Sequence, residues 1–578
     1  MAEQTSSFMR SLCMGRIEED VVFPFPRMSE AEAETVRSIV ESVDGLLTPM
    51  AEEFRKWDRE GQMPAPFLDR LREFGLFGLV IPEQYGGMGL GSAAYSRSLQ
   101  QLAKHDASVA ITVGAHSSIG MKGLLLFGDD EQKERFLPKL ASGEMIAAFC
   151  LTEPGAGSDA ASIKTTATRD GDDWILTGSK LWITNGGIAD FFTVFAKTGV
   201  AEERANLGAF IVTRDMEGVS IGPHEDKMGI RASSTTAVFL DNVRVPDRNR
   251  LGPPNGGFKT AMTILNNGRT GLGGGAVGMM KRSIELASAY ANERKQFGQP
   301  IASYGLVKQK LGQMLIDCYA AESLVSMVAG LIDGGADDYS VEAAISKVFA
   351  SEALWRVADE ALQIAGGNGF MREYPYERFL RDCRINRIFE GTNEVLRLFI
   401  ALTAMKDVGT ELRELSSSLK GVFDDPIKGF GVLTDYARRR AKVATGIGQG
   451  ELTGVHERLR EPAVTVLRST RFLAGAADRI LRKHGRDIIG KQFASRRLAD
   501  IMIDLFGLVC VLSRVDASVK ANGVASTVHE IEILEAFAQQ VQRRIADNLA
   551  RIDDNEDEII KSLAAHAVAA GKYGWDSL

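Results

Sequence analysis

The sequence predicts an α+β fold: a helical domain, a central antiparallel β-domain, a helical bundle, and an extra helical domain behind them. Three changes of hydrophobic period carry this reading. Over residues 29–147 apolar side chains recur every three or four positions, as in Val36, Ile39, Val40 and Val43 and again in Phe67, Leu71, Phe74 and Leu76. Over 148–254 short strand-like runs take over: Trp174-Ile175-Leu176-Thr177, Phe191-Phe192-Thr193-Val194-Phe195 and Ala209-Phe210-Ile211-Val212, each bounded by Gly, Asp or Asn. From residue 255 the helical period returns.

Taken in order, an extension (1–28) precedes the first helical domain (29–147), which is interrupted where Pro82 and the glycines of Gln84-Tyr85-Gly86-Gly87-Met88-Gly89 impose a loop. The β-domain (148–254) leads into a helical bundle (255–405), broken at Pro300 and near Gly366. The last domain (406–578) is entered through Ser416 to Ser418 and the turn-like Asp424-Asp425-Pro426. Its segments 463–489, 492–519 and 528–552 have helical patterning and enough apolar residues to pack.

Composition narrows the class. A chain of 578 residues exceeds one core, and 45% hydrophobic with 25% charged residues describes an ordinary globular protein. A formal charge of -8 argues against a nucleic-acid footprint while leaving room for a local basic patch. The five cysteines, Cys13, Cys150, Cys318, Cys383 and Cys510, are odd in number and widely spaced, as reduced thiols in a cytosol-like compartment would be. No His/Cys cluster has metal-ligand spacing, His105 and His116 read as packing residues, and no metal is expected. The stretch before Val21 resembles neither a secretory signal nor a transit peptide, and the late apolar run Leu505 to Leu512 is too short to span a bilayer. A soluble or peripheral protein is expected, in a bacterial cytoplasm, at its inner membrane, or in a mitochondrion if the source is eukaryotic.

Chemistry concentrates in a few blocks. Glu390, between Phe389 and Gly391 and downstream of Arg381, Arg384 and Arg387, has an apolar neighbour that disfavours its charged form, which suits a general base for a weak carbon acid. A surface glutamate at a helix start is the bland alternative. Leu151-Thr152-Glu153-Pro154-Gly155-Ala156-Gly157-Ser158-Asp159 offers glycines for close backbone approach and hydroxyls for hydrogen bonds, without a Rossmann fingerprint. In Trp182-Ile183-Thr184-Asn185-Gly186-Gly187 the indole can face a flat ring, although a core tryptophan explains it as well. Arg294-Lys295-Gln296-Phe297-Gly298 supplies a fixed cation for phosphate, and Gln363-Ile364-Ala365-Gly366-Gly367-Asn368-Gly369 a turn of exposed amides.

In this order these five blocks resemble the acyl-CoA dehydrogenase family, over about residues 30–405. Val22-Phe23-Pro24-Phe25-Pro26, Leu265-Asn266-Asn267-Gly268-Arg269, Glu342-Ala343-Ala344-Ile345-Ser346-Lys347 and the helical tail extend the resemblance to the very-long-chain branch and its complex I assembly relative. The resemblance implies FAD, with Phe149, Leu151, Thr152, Gly157, Ser158, Trp182, Ile183 and Thr184 around the flavin. It implies Arg294, Phe297, Gln363, Gly366, Gly367 and Gly369 on the adenine and pyrophosphate side, partly across a homodimer interface. Thr392, Asn393 and Glu394 follow the base on the cofactor side, and Gln492 in the tail is a further implied contact. Ser158, Asn266, Arg269, Phe389 and Gly391 would meet an acyl-CoA substrate.

By the same resemblance Glu390 removes an α-proton while the β-hydride leaves for the flavin, giving a trans-2-enoyl-CoA, with electrons passed to electron-transfer flavoprotein. The enolate oxygen would be met by the Glu390 backbone N–H and a flavin hydroxyl. In some relatives the base stands just before the arginine matching Arg269; here that position is Gly268. The small residues Ala107, Ser108, Ala110, Gly114, Ala115 and Ser117 permit either a deep acyl cavity or close helix packing. Tyr304-Gly305-Leu306 stands where some relatives carry a glutamine, which puts one adenine-side contact in doubt. The basic run Arg438-Arg439-Arg440-Ala441-Lys442 fits solvated surface, as most such clusters do, or, as the resemblance suggests, attraction to anionic lipid at a membrane surface. Two other functions fit the resemblance: an acyl-CoA oxidase, and a respiratory-complex assembly scaffold, although a scaffold has no physical need of Glu390.

Overall fold

The structure, a computed structural model, describes residues 7–198, 206–421 and 452–576. It divides into two compact units, Phe25–Val395 and Ser6–Pro24 with Leu396–Leu578.

The first unit opens with helices Glu30–Leu47, Ala51–Glu60, Ala65–Glu73, Ser92–His105, Ala107–Gly114 and Asp130–Ser142. Their starts are capped where the sequence places an oxygen: Ser29 accepts from the Glu32 N–H, Asp106 from the Val109 N–H, and Asp129 forms a reciprocal capping box with Gln132. Val36, Ile39 and Val43 lie on the buried face of the first of these helices, as their spacing predicts.

The strands are β1 (Ala147–Cys150), β2 (Thr166–Asp170), β3 (Asp173–Thr184), β4 (Phe191–Lys197), β5 (Leu207–Thr213), β6 (Val219–Ile221), β7 (Thr235–Pro246) and β8 (Arg250–Leu251). They form one sheet in the order β6-β7-β3-β2-β4-β5-β8, with β1 also paired to β4. The sheet is mainly antiparallel, as expected, with two exceptions. β1 runs parallel to β4 from Ala147↔Phe191 to Cys150↔Val194, and β2 meets β4 in parallel at Thr166↔Lys197. Parallel neighbours need a long connection, and the excursion from Leu151 to Asp190 supplies it between β1 and β4. Alternation along β4 serves two cores: Phe191 and Phe195 pack with Leu137, Leu140 and Ile264, whereas Phe192 and Val194 pack with Val212, Val238 and Val243.

The bundle helices are Gly257–Glu293, Gly305–Asp333, Ser340–Ala365 and Tyr376–Cys383. Helix 257–293 crosses helix 92–105 at backbone distance because it carries glycine where they meet. A Cβ at Gly274 would stand 2.6 Å from the Ser96 carbonyl oxygen, and one at Gly278 2.0 Å from that of Gln100. Among the described residues, segment 107–127 and helix 305–333 are long and apolar enough to cross a membrane by composition alone.

A buried ionic cluster ties the layers of this unit together. Arg378 lies 3.3 Å from Asp106, both nearly enclosed, and the neighbouring Asp382 accepts the Ile230 N–H at 2.5 Å. Burial pushes the Asp382 carboxyl up to about 7, against the pull of Arg378. Gly229 has no room for a side chain, since its Cβ would stand 2.3 Å from the Arg381 carbonyl oxygen.

The second unit packs helices Arg460–His484, Gln492–Asn522, Val528–Ala550 and Asp557–Ala570. The extension 1–28 contributes its described N-terminal part to this unit: Phe8 meets Phe506 with ring centroids 6.2 Å apart, Arg10 pairs with Asp407, and Ser513 donates to the Val22 carbonyl. The turn at 424–426 and the basic run 438–442 lie outside the described residues.

Replacing Arg378 by Met should leave Asp106 and Asp382 buried without their cation. We expect a loss of about 3–5 kcal/mol in urea unfolding at pH 7.5, and a smaller loss near pH 5, where Asp382 is protonated.

Candidate active site

Glu390 sits in a short turn between Phe389 and the helix Asn393–Ala404, with φ of 55°, and Gly391 follows at 93°. A non-glycine residue in the left-handed region carries strain of order 1–3 kcal/mol and persists only where its surroundings hold it. The turn's hold comes from helix 340–365. Lys347, fully buried, donates to the Gly391 carbonyl at 2.8 Å and to the Asn393 Oδ1 at 2.9 Å. Asn393 in turn donates to Ser351 Oγ at 3.0 Å and Glu352 Oε1 at 3.2 Å. Thr392 caps the following helix by accepting the Val395 N–H.

Glu390 as a whole is half-buried, but its carboxyl is enclosed, and Oε2 is a buried oxygen without a hydrogen-bond partner. Burial pushes its pKa up to about 7, and Arg269 and Lys347 only partly offset that. Arg269 is 6% exposed, bonded to Asn266 Oδ1 at 2.5 Å, and itself pushed down to about 10 by burial. Gly268 leaves the space the Glu390 carboxyl occupies: a Cβ there would stand 2.7 Å from Ile119 and 3.3 Å from Glu390 Oε2.

Beside Glu390, the buried hydroxyls of Tyr95, Ser117 and Thr270 line a recess of about 30 Å³ shared with Lys122 and Asn267. Ala107 to Gly114 form a helix and Ala115 to Gly120 one π-helical turn; a Cβ at Gly120 would stand 2.8 Å from the Ala147 backbone, and one at Gly114 would touch Leu99 at 3.8 Å.

The glycine-rich loop after β1 is shaped by a buried ion pair that sequence reasoning missed. Glu153, 6% exposed, takes Lys180 Nζ at 2.7 Å, the Thr165 N–H at 3.0 Å, the Thr165 hydroxyl at 2.5 Å and the Lys164 N–H. Burial raises the Glu153 pKa, but these donors outweigh it and hold the carboxyl below its ordinary value. Lys180 Nζ also donates to the Leu151 carbonyl, and the Leu181 N–H to that of Thr152 at 2.9 Å. The loop is thereby pinned to β3, bringing Thr152 beside Trp182. Gly155 and Gly157 have no heavy atom within 4 Å of where a Cβ would lie, and Ser158 is exposed.

Trp182 stands in an irregularity of the β3–β7 register between Lys180 and Ile183, has φ of 57°, and is 63% exposed. A bulge of this kind re-aims a side chain, here an aromatic face outward. Thr184 is half-buried; Ile183 and Leu151 turn their side chains into the core, and Phe149 packs on Phe195 with centroids 5.1 Å apart. Arg294 begins a hairpin (Lys295–Gln296 with Gln299–Pro300) whose turn residues Phe297 and Gly298 both have positive φ, leaving Phe297 95% exposed. Gln363, Gly366 and Gly367 are exposed, while Gly369 has no space for a Cβ. Asn368 reaches Tyr290 at 3.3 Å, so this turn adjoins the helix end that leads to Arg294. Glu394 is exposed, the Asn393 side chain is spent inside the protein, and Gln492 opens a helix of the second unit.

Open cradles over Gly155, Gly157, Gly366 and Gly367, with outward aromatic faces at Trp182 and Phe297, fit a flat heterocycle with a phosphate-bearing tail. A fold of helices, sheet and helices that carries such cradles and an enclosed carboxylate defines a flavin-dependent dehydrogenase. Family models described as acyl-CoA dehydrogenase N-terminal, middle and C-terminal domains match residues 30–144, 148–243 and 255–405, and a fourth, "ACAD9/ACADV, C-terminal domain", matches 457–573. The chain belongs to the acyl-CoA dehydrogenase family, and its cofactor is FAD. It is 43% identical to the human mitochondrial very long-chain specific acyl-CoA dehydrogenase over 96% of this chain and 85% of that one, and 37% identical to a probable acyl-CoA dehydrogenase of Bacillus subtilis over 83% and 80%. Among solved structures it resembles a Bacillus anthracis acyl-CoA dehydrogenase complexed with FAD (TM-score 0.82, 33% identity, 98% and 96% covered). A butyryl-CoA dehydrogenase from Megasphaera elsdenii matches 66% of this chain and 99% of its own, at TM-score 0.63 and 36% identity.

Among the described residues no group of three or more His, Cys, Asp or Glu could hold a metal. His105 pairs with Asp44 and His116 Nδ1 accepts the Ala147 N–H at 2.9 Å, both in packing roles. The described cysteines are all buried, and none forms a disulfide.

Two outcomes test this geometry. Glu153→Gln should cost stability and weaken FAD retention on gel filtration by tenfold or more, because the loop loses its buried pair. Glu390→Gln should raise Tm. The native carboxyl binds its proton more tightly than the unfolded one, so the parent loses stability as pH rises from about 4.5 to about 7. The variant's gain should therefore be absent near pH 4.5 and full at pH 8.

Proposed function

We propose that the protein oxidises long- or very-long-chain acyl-CoA thioesters to trans-2-enoyl-CoA in fatty-acid β-oxidation, with Glu390 as the base and electron-transfer flavoprotein as the electron acceptor. One observation carries it: a carboxylate excluded from water and poised near neutrality by burial against two cations, in a cleft with no competing carboxylate at Gly268.

Glu390 removes the α-proton of the thioester. Its turn presents the backbone N–H as the donor for the thioester carbonyl, where negative charge develops. FAD, when bound, supplies the acceptor for the β-hydride. Leu151, Thr152, Gly157, Ser158, Trp182 and Thr184 would hold the flavin, Phe149 and Ile183 backing it. Arg294, Phe297, Gln363, Gly366, Gly367 and Gly369 would hold the adenine and diphosphate side, with Thr392, Asn393, Glu394 and Gln492 as further contacts. Asn266, Arg269, Phe389, Gly391 and Ser158 would position the acyl-CoA.

The preference for long chains is supported by the identity to the very-long-chain relatives over nearly the whole chain. Those relatives are mitochondrial and others bacterial, in keeping with a mitochondrial or cytoplasmic setting. A homodimer is proposed because exposed Arg294 and Phe297 suit contact with a cofactor shared across subunits. Peripheral membrane contact is supported by the helix Asp557–Ala570, which exposes Ile559, Leu563 and Val568.

Anaerobic mixing with acyl-CoAs of graded length should bleach the flavin absorbance, fastest for long chains. The rate should rise with pH through about 7 as Glu390 ionises, and Glu390→Gln should lower it by at least about 10³-fold. A yellow protein that no acyl-CoA bleaches overturns the assignment, and rapid reoxidation by air would make it an oxidase.

A further inference from the structure

A lysine is almost never fully buried unless something inside the protein requires its charge. Lys347 is such a lysine. Its side chain has no exposed surface, and it lies within the apolar run of helix 340–365, flanked by Ile345, Val348 and Phe349. Both of its observed acceptors belong to the segment that carries the base: the Gly391 carbonyl, one residue beyond Glu390, and the Asn393 side chain. That segment needs a clamp, because Glu390 and Gly391 are consecutively left-handed and the Gly391 carbonyl is turned into the protein, where an unpaired carbonyl is costly.

The charges around this point are few. Lys347 is faced by Glu390, Arg269, Glu352 and Glu394, and Glu390 by Arg269, Lys347 and the Tyr95 phenol. Burial pushes the Lys347 ammonium down to about 7, with Glu390 holding it up, so each of the two groups favours the charged form of the other.

We propose that Lys347 is a positioning residue for the α-proton abstraction: its buried ammonium clamps the Gly391 carbonyl and the Asn393 side chain, holding the left-handed turn that aims Glu390, and its charge favours the ionised base. This rests on Glu390 being the base. Asn393 belongs to the same device. Its Oδ1 is the ammonium's second acceptor, and its Nδ2 anchors the turn to Ser351 and Glu352 of the helix that bears Lys347.

The test uses FAD-loaded full-length protein with Lys347→Met and Lys347→Arg. Lys347→Met keeps the length of the side chain and removes the donors and the charge. The pH midpoint of flavin bleaching by a saturating acyl-CoA should move up by about one unit, and the limiting rate at pH 7 should fall roughly tenfold or more, with the Kd for acyl-CoA changed by less than about threefold. Hydrogen exchange in residues 388–395 should accelerate in the same variant. Lys347→Arg keeps the charge and should hold the midpoint near the parent's, while the wider guanidinium disturbs the clamp and lowers the rate. Parental midpoint, rate and exchange in Lys347→Met would overturn the proposal. If that variant does not fold, parental rate and exchange in Lys347→Arg would overturn it. Failure of the parent to bleach with any acyl-CoA would instead sink the dehydrogenase reading, and the exchange measurement would still report on the clamp.

Discussion

Everything in the site depends on keeping one carboxylate out of water without giving it a hydrogen-bonding partner of its own. Desolvation alone would neutralise Glu390, and a direct ion pair would hold it firmly ionised. The structure settles between these limits by setting Arg269 and Lys347 close enough to act through their fields, while Gly268 and Ile119 shape the space the carboxyl fills. The arrangement is costly in stability, as active sites commonly are: a raised carboxyl, a lowered ammonium and two consecutive left-handed residues lie within a few positions of each other or of a single helix.

The loop after β1 solves a related problem in the opposite way. There the carboxylate of Glu153 is saturated by Lys180, Thr165 and backbone N–H groups, so it is firmly ionised and has no chemistry left to do. Its role is to stiffen a loop whose glycines must lie bare. Two buried glutamate–lysine relationships in one unit thus differ in function because one is a contact pair and the other acts at a distance through a backbone clamp.

Much of this was legible beforehand. The change from a period of three or four to short strand-like runs located the sheet. Glu390 stood out through its neighbours. The ion pair at Glu153 escaped notice because Lys180 is 27 positions away on another strand, and local sequence says nothing about which charges meet. Lys347 left a faint signal, a cation inside an apolar helical run, but the acceptors that give it meaning lie 44 and 46 residues downstream. The parallel pairing of β1 with β4 was equally hidden, since strand direction depends on how a long excursion returns.

By itself the sequence determined the kinds of element, their order and the family, because hydrophobic period and glycine-rich blocks are local properties written in consecutive residues. It also singled out Glu390. Only the tertiary structure decided that residues 6–24 belong with the C-terminal helices, that Trp182 and Phe297 face outward from left-handed backbone, and that the Glu390 carboxyl is enclosed. Those outcomes depend on desolvation and on contacts between residues far apart in the chain, and both exist only once the chain has folded.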